Sequence, residues 1–180
     1  MKKSFLLFAA IVMILSFSTN VMAQTSAKVS GTTAGAQLIV PMTLTETSPL
    51  HFGTINLLAA AGGDVILSTA GVRSFDAGLA ASLVAPLATN AAYNVTGTYN
   101  ETYALTLPPT IEVKETVGGT ATMTISALKA KFNATGADAV TSTLNGSGAG
   151  NFKVGGTLTV AASQLGGIYA GTFDVSVDYN

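Results

Sequence analysis

The chain of 180 residues contains no cysteine and no tryptophan, and it has a single histidine, His51. Without cysteine there is no disulfide, no thiolate nucleophile and no thiolate-bound zinc. One histidine cannot supply a cluster of imidazole ligands, and no second group pairs with His51 in a recognisable spacing. Charge is also scarce, with Asp, Glu, Lys and Arg making up 9% of the residues. Lys28, Arg73, Lys114, Lys129, Lys131 and Lys153 are the only basic residues after position 23, against nine acidic ones, a net charge of −3. No run of Lys and Arg suits a phosphate backbone or an anionic membrane surface. The diglycines lack a following Gly-Lys-Thr and a strand-to-helix setting, so they read as turns. Asp174 and Asp178 stand about 13–14 Å apart at strand rise, too far for a paired-carboxylate glycosidase. No catalytic, cofactor-binding or metal-binding residues are assigned, and the chain is not expected to be an enzyme.

What the sequence does have is an address followed by β-type alternation. Lys2 and Lys3 precede an apolar run from Phe5 to Phe17, and Val21-Met22-Ala23 offers a cleavage site before Gln24. Residues 1–23 are therefore expected to be a secretory signal peptide, too short for a transmembrane helix. No cysteine follows that site to carry a lipid. Residues 24–36, small and polar, read as a flexible leader, and 37–180 as one domain. Mean hydropathy over the whole chain is +0.50, a figure that residues 1–23 raise, while the remainder stays short of charge.

The longest clean alternation is Gly167 to Asn180. Tyr169, Gly171, Phe173, Val175, Val177 and Tyr179 share one parity, and Ala170, Thr172, Asp174, Ser176 and Asp178 the other. That is the pattern of a strand with one buried and one wet face. Leu38, Val40, Met42 and Leu44 alternate likewise, with Pro41 marking an edge strand or a bulge. Further alternating segments follow: 64–69 with 72–75 as a hairpin, 93–97 joined by a turn to 103–107, 111–114, 120–125 and 152–160. Residues 76–91 are ambiguous, with Asp76 placed to cap a short helix, and 126–151 show mixed character. Roughly eight to ten short strands with frequent turn signals predict an all-β, antiparallel immunoglobulin-like β-sandwich. A membrane barrel would need longer strands and aromatic girdles.

Two signatures carry a resemblance. Leu50-x-Phe52-Gly53-Thr54-Ile55 is one, and Phe152-x-Val154-Gly155-Gly156-Thr157-Leu158 with the stretch from Gly167 to Asn180 is the other. Together they resemble an uncharacterised family of bacterial secreted envelope proteins, a domain of unknown function, which implies a β-sandwich and an envelope setting. The terminal stretch is also similar to the end of chaperone–usher pilin subunits, with Tyr179 penultimate and Gly167 fourteenth from the end. That resemblance implies a sandwich lacking a strand, whose groove is filled by a periplasmic chaperone and then by a leader from the next subunit at an outer-membrane usher. Gly167, Tyr169, Gly171, Phe173, Val175, Val177 and Tyr179 would then form the assembly strand. Leu38, Val40, Met42 and Leu44 are either a donor segment or the first strand of the chain's own sandwich.

The expected function is a secreted envelope structural protein, a fimbria-like or surface-assembly subunit joined through β-strand contacts. The alternative is a monomeric surface or periplasmic module that binds a carbohydrate or a host surface. Export through the inner membrane to the cell surface or a fimbrium is expected, with the periplasm as transit or alternative. Self-assembly is expected, and nucleic acid is not a partner.

Overall fold

A computed structural model describes residues 27–58, 61–133 and 136–180. The expected signal peptide, residues 1–23, lies outside the described residues. The chain divides into two units, 1–37 and 38–180. In the first, residues 27–37 form no strand and are exposed. The second holds thirteen strands, every pairing antiparallel, and no helix among the described residues.

The long strand β11 (Ala149–Val160) is the spine of the larger sheet. β9 (Thr122–Phe132) pairs along one edge of it. The opposite edge is shared: β6 (Ala91–Thr96) covers Ala149–Val154, and β3 (Gly63–Leu67) covers Gly156–Val160. Beyond these lie β1 (Thr43–Ser48) on β6 and β4 (Arg73–Phe75) on β3. On the far side β8 (Thr110–Glu115) pairs with β9, and β12 (Tyr169–Ala170) with β8. A three-stranded sheet, ordered β10 (Thr141–Thr143), β7 (Thr102–Thr106), β13 (Ser176–Tyr179), is the second layer. A small ladder joins β2 (Ile55–Leu57) to β5 (Leu79–Ala81).

Alternation decides which side chains meet between the layers. Tyr93 and Val95 of β6, Ala130 and Phe132 of β9, and Phe152 and Val154 of β11 point inward against Tyr103 and Leu105 of β7 and against Leu144. Tyr93 stacks on Phe152 at 5.0 Å between centroids, and Tyr103 meets Phe132 edge-on at 5.6 Å. A second cluster gathers Phe52, Val65, Leu67, Leu79, Ile111, Val113, Ile125, Leu158 and Val160. Each fully buried side chain of this size contributes about 1.5–3 kcal/mol, so the two clusters supply what disulfides do not.

The all-β sandwich expectation and the 64–69/72–75 hairpin agree with the structure, and four local readings are corrected. The first strand begins at Thr43 and not at Leu38. Pro41 has no N–H, and the Val40 N–H is bonded to the Thr98 hydroxyl at 2.7 Å instead of to a ladder. β1 is an edge strand and also carries a register shift between Glu46 and Ser48. β6 and β7, which read as neighbours across a turn, belong to different sheets, and Gly97–Glu101 carries the chain between the layers. Where Asp76 was placed to cap a helix, its carboxylate accepts from the Asp64 N–H at 2.9 Å, and the segment after it forms β5.

The fourth correction concerns the terminal stretch. It is two short strands in two sheets: β12 on the edge of the large sheet, then β13 on β7. Gly171 lies against the Glu112 carbonyl so closely that a Cβ there would overlap it. From that point the chain leaves β8, and Phe173 crosses between the layers, packed against both core clusters.

Candidate functional site

β13 is hydrogen-bonded to β7 on one side, with Val177 opposite Leu105 and Tyr179 opposite Tyr103. On its other side no strand is paired among the described residues. β1 likewise pairs with β6 alone. The two free edges border the same core cluster. Met42 and Leu44 reach it from the β1 side, and Phe173, Val175, Val177 and Tyr179 from the terminal side. All six are half-buried where a closed sandwich would cover them. The arrangement is an apolar row flanked by two unpaired backbone edges.

One residue ties the ends of the row together. The Tyr179 hydroxyl donates to the Val40 carbonyl at 2.6 Å and accepts from the Thr98 N–H at 2.6 Å. Gly97 makes room for it, since a Cβ at that position would collide with the hydroxyl. The other end carries Glu46, which shares the inward parity of Leu44 and stands opposite Tyr93. Burial, with the Glu46 charge adding to it, pushes the Tyr93 hydroxyl above the usual tyrosine range. A charged residue on the inward parity of an edge strand discourages indiscriminate strand pairing.

The other residues singled out in the sequence are distributed around this row. Leu38 and Val40 are exposed, at 83% and 58%, and only the backbone of Val40 is engaged. Tyr169 donates to the Leu165 carbonyl at 2.7 Å and packs against the second cluster, away from the row. Gly167 lies against the Glu115 side chain. His51 accepts from the Gly53 N–H at 2.7 Å through Nδ1, and its backbone bridges to Thr89. Arg73 donates to the Phe52 carbonyl at 2.9 Å and covers the Phe75 ring, so the Phe52-Gly53-Thr54 signature is held as a packed turn. Sequence reasoning did not find Gly97 and Thr98 as partners of Tyr179. They lie 81 residues from it in the chain for Thr98, and nothing local marks them.

A family model described as Domain of unknown function (DUF4402) matches residues 42–179. The chain belongs to the DUF4402 family. No curated protein matches the chain. The DUF4402 span opens at Met42 and closes at Tyr179, the residues that bound the half-buried row. In this DUF4402 domain both unpaired edges, β1 and β13, lie within the matched span.

Proposed function

We propose that this protein is a secreted bacterial envelope subunit that joins copies of itself into a fimbria-like or surface assembly through β-strand contacts. The observation that carries the reading is the pair of free edges, β1 and β13, flanking six half-buried apolar side chains on one core cluster. An extended segment laid between those edges gains backbone partners on both sides and buries alternate side chains in the row. Four or five such side chains contribute roughly 8–15 kcal/mol before ordering costs, comparable to a whole domain's stability of about 5–15 kcal/mol.

The apparent signal peptide and the scarcity of surface charge support the envelope setting. A chaperone that holds the row during export, and an usher that exchanges it for a neighbouring subunit, are the partners this mode of assembly calls for. The test is electrophoretic. Unboiled envelope extracts of the native host should show a ladder of multimers that collapses on boiling. Monomer in both lanes would remove the reading and leave the monomeric surface-binding module.

A further inference from the structure

We propose that the outward face of the large sheet binds a carboxylated polysaccharide through Lys129, Lys131 and Lys153. Three of the six basic residues after position 23, far apart in composition terms, are gathered here by strand pairing. Lys153 of β11 lies directly opposite Lys131 of β9, and Lys129 lies opposite Gly155 on the same face. Facing side chains in such a pair have Cβ atoms about 5 Å apart, and like charges so placed destabilise the sheet.

A sequence with nine acidic residues could offset that repulsion by placing one of them beside the pair. None forms an ion pair with any of the three lysines, the ion pair of the described residues being Lys114 with Glu112 at 3.1 Å. Arg73 is occupied by backbone carbonyls and a ring, so it does not contribute to a second basic site. The three cations thus form a positive patch on a domain that is otherwise negative. It is bordered by Asp138, whose carboxylate accepts from the Thr69 hydroxyl at 2.7 Å while its neighbour Ala139 bonds Ala130, between Lys129 and Lys131.

The surroundings of the patch indicate the occupant. The neighbouring outward positions are Ala92 and Asn94 of β6 and Asn151 of β11, while Gly155 is buried beneath the Leu67–Thr69 backbone. Asn94 and Asn151 provide exposed amides that donate to and accept from hydroxyl groups. There is no aromatic platform for a nucleic-acid base and no large aliphatic side chain to enter a bilayer. A chain of carboxylated sugars matches both the spaced charges and the amides. This face is formed by β6, β11 and β9 and is separate from the half-buried row, which lies on their inward side.

Polygalacturonate is the probe, with dextran as the neutral counterpart, in affinity electrophoresis of the full chain. Binding of polygalacturonate and not of dextran is expected at low salt, weakening about tenfold as ionic strength is raised tenfold. The double substitution Lys131→Gln with Lys153→Gln should weaken it by about tenfold more, and Lys129→Gln alone by a few-fold. Lys114→Gln should leave it within twofold. Removing one like-charge pair should hold or raise the melting temperature of the double variant, which separates lost binding from lost folding. Absence of retention, equal retention of the double variant, or equal affinity for duplex DNA or anionic phosphatidylglycerol vesicles would each overturn the assignment.

Discussion

The Tyr179 hydroxyl and the Tyr103 hydroxyl show two opposite fates of the same group. At Tyr179 it donates once and accepts once, linking the β13 end to Val40 and Thr98. Tyr179→Phe leaves a carbonyl and an N–H without that partner and should cost about 1–3 kcal/mol in urea titration. Gly97→Ala crowds the same hydroxyl, so its effect and that of Tyr179→Phe should be far from additive in a double-mutant cycle. Tyr103 is fully buried between the layers, and its hydroxyl has no hydrogen-bond partner. Burial pushes its pKa above the usual tyrosine range, while Ser142, opposite on β10, softens the shift without reaching hydrogen-bond geometry. Tyr103→Phe should therefore be neutral or mildly stabilising near pH 7, measured by thermal melting. The sign with pH follows from the raised folded-state value. The neutral hydroxyl is favoured in the fold, so its contribution is complete below the unfolded tyrosine range. It is lost as pH rises through that range and on through the folded value. Wild-type melting temperature should fall steeply above about pH 10, and Tyr103→Phe should flatten that fall.

Among the elements, β9 carries the most instructive irregularity. Between the pairs Thr157–Ser126 and Gly155–Lys129, two residues of β9 face one of β11. The extra residue is accommodated at Ala127, whose φ is +48°. The bulge moves the inward set from odd positions, Ile125, to even ones, Ala130 and Phe132. Ala127→Gly should raise stability by about 0.5–1 kcal/mol, because glycine takes a left-handed backbone without a Cβ clash. Ala127→Val should lower it by more than 1 kcal/mol or so, a branched side chain being poorly tolerated there. The same bulge explains why 126–132 reads as mixed in the sequence: a single period cannot describe a strand that changes parity. Alternation did disclose β3 with β4, β8, β11 and the inward parity of Phe173 to Tyr179, because those segments keep one period and end at glycine or proline turns. It could not disclose that one unbroken period is divided between two sheets. The cause is a backbone approach of Gly171 to Glu112, made by residues distant in the chain. The free edges were beyond reach for a related reason, since an edge is the absence of a neighbour and leaves no local mark. Lys131 and Lys153 face each other only once the register of β9 on β11 is known.

At the scale of the molecule, the two apolar clusters, the free edges and the lysine patch occupy different surfaces of the same sandwich unit. Assembly through the edges and binding through the patch should therefore be separable. Val175→Ser, a change at a half-buried position of the row outside any ladder, should deplete the multimer ladder while leaving polygalacturonate binding intact. Its cost to the monomer should stay near 1–2 kcal/mol, within the range of a partly exposed valine, as read by circular dichroism melting.

The shared edge of β11 also governs how the molecule reaches this state. β8, β9 and β11 follow one another within 50 or so residues and can form by local closure. β3 must return to the same strand from far upstream, as the Thr159 hydroxyl does when it donates to the Asp64 carboxylate across 95 residues. β6 comes from an intermediate distance, and β1 can dock only after it. A topology in which the central strand waits for partners from three separate parts of the chain has a high mean sequence separation, and refolding in milliseconds to seconds is the expected regime. A β8–β9–β11 unit formed ahead of the other strands would leave one long edge of β11 open. In that interval it would be exposed to capture by another strand, its own or a stranger's.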